Sequence, residues 1–310
     1  MKGDFLIDGV SAYATYGVFV MQGGFTDIIT LPSFKPFEVV DWLDDDGIDA
    51  DLSNPVFPSR KINITFGFRD IRGAGDFIAE VNRTAVHTFV FSAVARSMAL
   101  RVQDNPSLSS LVNVGSFTLS FVQDTIPVPT ATPYDIGATR VRQRGFLLDG
   151  IDLSQYGCWV LDGSLQNGLR SPAVKDNLTN SSKTVAGQTY YGQSSGMVFK
   201  AKDLALRLLI NARDTAEFNR CYNALVYALS RPDTRTFKLG PNGKNCGCYY
   251  KSLKCNRLEE CKSGTIWCEL TLVLVMTASR PNAALGLLAS ESNYYIITED
   301  GLCVYVMNVY

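Results

Sequence analysis

The sequence predicts a mainly β, α+β protein with one helix per repeat: two tandem domains followed by a C-terminal β-hairpin. Three observations carry this. An opening motif occurs twice along the 310 residues. After each copy an alternating strand, a helix and a closing strand follow in the same order. Gly, Pro and Asp-Gly steps punctuate those elements where turns belong. A repeat this long implies duplicated domains and not a solenoid of small units. The expected boundaries are 1–125 for the first domain, 126–144 for a linker, 145–279 for the second domain and 280–310 for a loop and terminal hairpin.

The opening motif is Phe5-Leu6-Ile7-Asp8-Gly9-Val10, running on to Tyr16-Gly17-Val18-Phe19-Val20. Its second copy is Phe146-Leu147-Leu148-Asp149-Gly150-Ile151, running on to Tyr156-Gly157-Cys158-Trp159-Val160. The Asp-Gly pairs stand 141 positions apart and the Tyr-Gly pairs 140. Each copy reads as a short strand, an Asp-Gly turn with positive φ, a connection, and a strand starting near Tyr-Gly.

In the first copy residues 36–42 read as a strand, Asp44-Asp45-Asp46-Gly47 as a turn and 48–52 as the returning strand. This hairpin carries Asp41, Asp44, Asp45, Asp46, Asp49 and Asp51. A calcium loop needs acidic ligands at alternate positions before its glycine, and Trp42 takes the first of them. The hairpin is therefore expected to be solvated or to face a lumen, with no metal. It has no obvious acidic counterpart in the second copy.

Ile62, Ile64, Phe66 and Phe68 then alternate with polar or small residues, as a half-buried strand requires. Their counterparts are Leu204, Leu206, Leu208 and Ile210. A helix follows in each copy. Asp214-Thr215-Ala216-Glu217 has capping-box spacing, Phe218, Cys221, Tyr222, Leu225 and Leu229 form one stripe, and Pro232 stops the helix. In the first copy Asp76 is expected to open the helix, with Phe77, Val81 and Ala85 as its stripe and His87 at its end. Closing strands follow Gly115 and Gly264, matching Phe117, Leu119 and Phe121 with Ile266, Cys268 and Leu270. Between the copies, Pro127, Pro129 and Pro133 mark an extended, semi-rigid linker. Residues 280–290 read as loop. Residues 294–298, Glu299-Asp300-Gly301 and 302–306 read as the terminal hairpin.

Composition narrows the function. With 46% hydrophobic and 19% charged residues the chain suits a soluble globular protein, large enough for two cores. A net charge of −1 and the lack of a Lys/Arg cluster give no basis for holding phosphates. Arg140, Arg142 and Arg144 read as part of a solvated spacer. Residues 1–4 reach an acid before any apolar run, and 270–276 is too short to span a bilayer, so a protein made in a cytoplasm is expected.

All eight cysteines lie in the second half: Cys158, Cys221, Cys246, Cys248, Cys255, Cys261, Cys268 and Cys303. They form no C-x-x-C knuckle, and the only His is in the other copy. Cys158, Cys221 and Cys268 fall on apolar faces, so buried free thiols are expected. No enzyme is expected. With one His, both Ser-His-Asp and Cys-His chemistry must use His87, which reads as a structural histidine. Gly240-Pro241-Asn242-Gly243-Lys244 has the wrong spacing for a phosphate loop. A carboxylate pair leaves no linear trace and stays open. Trp42, Tyr190, Tyr191, Tyr249 and Tyr250 suit either core and subunit packing or sugar binding, which makes a carbohydrate- or host-surface-binding tandem β-sandwich the alternative reading.

The order of elements resembles the tail-tube module of long-tailed bacteriophages. In particular it resembles the N-terminal domain of distal tail proteins, through Phe5, Asp8, Gly9, Tyr16 and Gly17, and again through Phe146, Asp149, Gly150, Tyr156 and Gly157. The resemblance covers about 1–125 and 145–279. It implies two β-sandwich or curled-sheet modules, each flanked by a helix. It further implies a non-catalytic structural component of a phage or prophage tail, in a distal-tail or hub ring that joins tube to baseplate or tip. The implied partners are copies of itself, as a hexamer or a pseudo-sixfold trimer, together with tube, tape-measure and tip proteins. DNA would be transient cargo only, with no membrane and no cofactor. The implied location is the virion tail after synthesis in the bacterial cytoplasm. The N-terminal motif leans the expectation towards six chains.

Overall fold

The computed structural model describes residues 3–104, 108–111, 113–129, 145–175, 179–187, 189–190, 197–240, 243–261, 263–278, 285–287 and 305–307. The first half holds β1 (Phe5–Ile7), β2 (Val10–Ser11), α1 (Ala12–Tyr16), β3 (Val18–Val20), α2 (Thr26–Ile29), β4 (Val39–Val40), β5 (Asp49–Ala50), β6 (Arg60–Phe68), α3 (Ile71–Val81), β7 (His87–Phe91), β8 (Arg96–Asp104), β9 (Leu108–Leu111) and β10 (Val114–Gln123). The second half holds β11 (Phe146–Leu148), β12 (Ile151–Asp152), β13 (Cys158–Val160), α4 (Ser164–Leu169), β14 (Thr179–Asn180), β15 (Thr189–Tyr190), β16 (Lys202–Ala212), α5 (Thr215–Ser230), β17 (Arg235–Leu239), β18 (Asn245–Glu260) and β19 (Ile266–Met276).

Each half is built on one large antiparallel sheet, and the two large sheets have the same strand order. The first runs β2-β1-β7-β8-β10-β6-β3, with β9 also beside β10; the second runs β12-β11-β17-β18-β19-β16-β13. The fold is mainly β, and in each half the longest helix follows the same strand. The strand pattern follows the sequence. Ile62, Ile64, Phe66 and Phe68 are buried on β6, as are Leu204, Leu206, Leu208 and Ile210 on β16. Phe5 lies in an aromatic cluster, with ring centroids 5.3 Å from Phe66 and 5.8 Å from both Phe77 and Phe91. Burying each such ring contributes about 2–3 kcal/mol. The buried side chains of both halves form one connected cluster.

Helix α5 starts as the spacing requires. Asp214 accepts from the Glu217 N–H at 2.7 Å, and the Glu217 carboxylate accepts from the Arg213 N–H at 2.6 Å. Helix α3 differs from expectation. It is capped by Asp70, which accepts from the Gly73 N–H at 3.1 Å, and Asp76 lies in its middle. Gly73 and Gly75 depress helix propensity in the first turns, which is why the start reads too late. Ala85 lies beyond the helix, and His87 opens β7.

The closing strands are also in another register. Phe117 pairs with Phe66, whereas Leu270 pairs with Leu208, the counterpart of Phe66, so Phe117 corresponds to Leu270 and not to Ile266. The expected match was displaced by four residues. With a period of two, such a shift leaves every side chain on the correct face, and alternation cannot detect it. The acidic hairpin forms, with only two paired residues per strand. At the C-terminus, β20 (Leu285–Leu287) pairs with β21 (Tyr305–Met307). This places a strand within the expected loop 280–290. Residues 294–304, with the expected first hairpin strand and turn, lie outside the described residues, as does 130–144 of the expected linker.

Candidate assembly interface

The motif residues build turns and core. Asp8 and Asp149 have positive φ, 49° and 51°, which Asp tolerates better than most residues. In each half the Asp side chain then reaches the neighbouring strand. Asp8 accepts from the Thr88 N–H at 2.8 Å and from His87 Nδ1 at 2.6 Å. Asp149 accepts from the Thr236 N–H at 2.9 Å and from Arg235 at 3.1 Å. Gly17 and Gly157 end helical turns in the left-handed region, φ 68° and 69°. Tyr156 is buried, and Tyr16 sets its ring edge-on to Phe77 at 5.8 Å. The Thr88 N–H and the His87 hydrogen bond hold the Asp8 carboxyl below its ordinary value.

The acidic hairpin lies against the second half. The Gly47 N–H donates to the Phe199 carbonyl at 2.7 Å, and the Ile48 N–H to the Thr277 carbonyl at 2.8 Å. Asp46 accepts from the Phe199 N–H at 2.9 Å. Lys175, 4% exposed, reaches in from the second half. Its Nζ donates to the Trp42 and Gly47 carbonyls at 2.6 and 2.7 Å and pairs with Asp41 at 2.6 Å. Burying an ammonium is costly unless it is paired and hydrogen-bonded, and here it is both. Asp49 accepts from the Trp42 indole N–H, and Asp51 from the Ser53 N–H, which lowers the Asp51 carboxyl. Asp44 and Asp45 are exposed; together with Trp42, Asp46 and Asp49 they line a hollow of about 400 Å³.

A second contact covers a strand edge. β18 pairs with β17 only over 245–248, while β19 takes it from 248 to 260, so among the described residues the later part of β18 has one side without a strand. An unpaired edge recruits backbone partners. Here the Leu31 N–H donates to the Leu253 carbonyl at 2.8 Å, and the Cys255 N–H donates to Thr30 Oγ1 at 3.0 Å. Arg60 holds that segment by donating to the Ile28 and Thr30 carbonyls and to Gln123. Tyr222 donates to the Ile29 carbonyl, and Tyr250 to the carbonyls of Leu31 and Pro32. Burial pushes both phenols well above their ordinary value. The Arg96 guanidinium lies over the Tyr222 ring at 4.9 Å.

These contacts join two sheets of one strand order. Among solved structures, the chain is similar to SPP1 Dit. That crystal structure, of a phage protein described as a paradigm of the hub adsorption apparatus in Gram-positive infecting phages, shares 13% identity at a TM-score of 0.30, over 88% of this chain and 98% of the other. The PlzA protein of Borreliella burgdorferi, solved with c-di-GMP, shares 10% identity at a TM-score of 0.16, over 84% and 89%. No family model matches the sequence, and no curated protein matches it.

The other candidate residues have structural surroundings. His87 is buried, with Thr84 Oγ1 2.9 Å from its Nε2 and Asp8 on its Nδ1. Asp8, Glu80 and His87 offer one atom each within 4.8 Å of one another, and Glu80 is also paired with Arg83 at 2.7 Å. Gly192-Gln193-Ser194-Ser195-Gly196 has nucleophile-elbow spacing but lies outside the described residues. Cys255 and Cys268 meet inside the sheet at 3.8 Å; Cys158, Cys221 and Cys248 are buried, and Cys261 is exposed. Among the aromatics, Trp42 is exposed, Tyr249 packs on Phe37 at 5.3 Å and Tyr250 on Phe34 at 5.1 Å. The Tyr190 side chain and Tyr191 lie outside the described residues.

Sequence reasoning missed Thr30, Leu31, Arg60 and Lys175. Only Lys175 has a signal in the sequence: Lys35 and Lys175, like Gly47 and Gly187, stand 140 positions apart.

Proposed function

We propose that this chain is a non-catalytic structural component of a bacteriophage or prophage tail, a ring-forming protein of the distal-tail or hub kind that joins the tail tube to the baseplate or tip. The observation that carries this reading is the docking of two halves with one strand order: a hairpin of the first half is seated on the second, and a strand edge of the second is covered by the first. A chain built this way is two adjacent sectors of a larger ring. Contacts that repeat head to tail and close give a cyclic oligomer of fixed number, and closure leaves no sheet edge unpaired. The domains of this reading are 1–125 and 145–279, with the opening motifs of each half as family positions. The partners are copies of the chain and neighbouring tail proteins, with DNA passing as cargo.

Three chains of two modules each fill a sixfold ring, and the docked halves favour that count over the six chains towards which the N-terminal motif leans. A near-neutral chain with acidic Asp44 and Asp45 suits a channel that must not retain phosphates. Native mass measurement with electron microscopy of the purified protein and of co-purified tail particles tests this. Annular particles of three chains are expected. A monomer at every concentration, together with absence from the tails, overturns the reading.

A further inference from the structure

The docking inside the chain is one-sided. The first half's hairpin and edge-covering segment are occupied on the second half. Among the described residues, the corresponding parts of the second half, 170–171 and 181–187, are exposed.

The correspondence is close. In the first half the Lys35 N–H donates to the Val56 carbonyl at 2.8 Å; in the second, the Lys175 N–H donates to Val198 at 2.8 Å. Arg60 on β6 holds the carbonyls of Ile28 and Thr30, while Lys202 on β16 holds those of Gly168 and Arg170 at 2.5 and 2.6 Å. The hairpin β4–β5 pairs Val39 with Ala50, and β14–β15 pairs Thr179 with Tyr190. Gly47 and Gly187 share a positive φ, 74° and 83°.

Their surroundings differ. A Cβ on Gly47 would meet the Thr277 carbonyl at 1.4 Å, whereas a Cβ on Gly187 meets nothing within 4 Å. Phe34 of the first half is 9% exposed, whereas Val174, its counterpart in the second half, is 42% exposed. On the receiving side, Lys175 is buried under its hairpin and Lys35 is exposed. The strand edge is open as well. β8 pairs with β7 only over 96–100, so Arg101–Asp104, and β9 beyond it, have β10 on one side and, among the described residues, no strand on the other.

We infer that a second copy of this chain docks here. Its 181–187 hairpin lies over Lys35, with the Gly187 carbonyl on the Lys35 ammonium and the Gly187 N–H on the Phe57 carbonyl. Its Arg170-Ser171 segment covers the open side of β8 and β9. Ser181 stands where Asp41 does, so Lys35 receives carbonyl and hydroxyl oxygens and no carboxylate. The contact between chains is therefore the weaker of the two and reversible. This rests on the ring reading above and names its interface.

A photo-crosslinking residue at Ala186, in mixed isotope-heavy and isotope-light protein at high concentration, tests it. Heavy–light crosslinks to 33–37 or 55–58 are expected, with Lys35→Glu reducing their yield at least tenfold. The same probe at Asp46 should crosslink only within a chain, to 175 or 197–200. Annular particles whose Ala186 crosslinks map elsewhere overturn this interface and leave the ring reading standing. No heavy–light product and no particle larger than one chain overturns both.

Discussion

His87 and Arg235 occupy the same position in the two halves. Each opens the strand beside an Asp-Gly turn, each is buried, and each is held by the Asp of that turn, Asp8 at 2.6 Å and Asp149 at 3.1 Å. The Asp backbone N–H returns the contact, donating to the carbonyl of Thr88 at 2.8 Å or Thr236 at 2.7 Å. The duplicated Asp-Gly is thus a clamp joining the first strand of each sheet to the next, and it accounts for the only His in the chain without catalysis.

Removing the clamp should cost more in the second half. Asp149→Ala leaves a guanidinium that is 9% exposed without its carboxylate, whereas after Asp8→Ala the His87 ring keeps Thr84 Oγ1 at 2.9 Å from its Nε2. Asp149→Ala is expected to destabilise by about 3 kcal/mol, and Asp8→Ala by about 1–2 kcal/mol. Urea unfolding of the two variants checks this; equal costs would refute the asymmetry.

Acid should loosen the first clamp. The folded Asp8 carboxyl titrates below its ordinary value of 3.8, so its contribution is complete above that value and is lost as pH falls through the lower folded one. Carboxyl NMR titration should place Asp8 under 3.8, and Asp8→Asn should flatten the stability profile in that acid range. A carboxyl titrating above 3.8 contradicts the geometry.

The legible part of this fold is what periodicity encodes. Ile62 to Phe68 and Leu204 to Ile210 announce their buried faces, and the duplicated Phe5 and Phe146 motifs announce two sheets. Register was not legible, since a four-residue slip of Phe117 preserves its face. The interface was not legible either. No periodic pattern marks Lys175, and only tertiary docking buries it, under carbonyls of Trp42 and Gly47 that lie more than a hundred residues away. Leu31 reads as one apolar residue before a proline, yet its N–H closes a sheet edge.

Thiol reactivity should follow burial. Burial pushes Cys248 up to about 12 and Cys158 higher still, whereas Cys261 is exposed. Brief native alkylation read by peptide mass spectrometry should modify Cys261 ahead of Cys158, Cys221, Cys248, Cys255 and Cys268. Prompt labelling of Cys248 would contradict its placement in the sheet.

The two hairpin glycines separate the docked hairpin from the undocked one. Both need a left-handed backbone, so alanine costs about 1–2 kcal/mol at either. At Gly47 the new Cβ also collides with the Thr277 carbonyl, which must move together with the end of β19. Gly47→Ala is therefore expected to lose at least about 3 kcal/mol and to expose 41–48 to limited proteolysis. Gly187→Ala in the isolated chain should stay near the backbone cost alone. Equal losses at the two sites would mean that the first hairpin is not seated on the second half and that no matching seat for the second hairpin exists on a neighbouring copy.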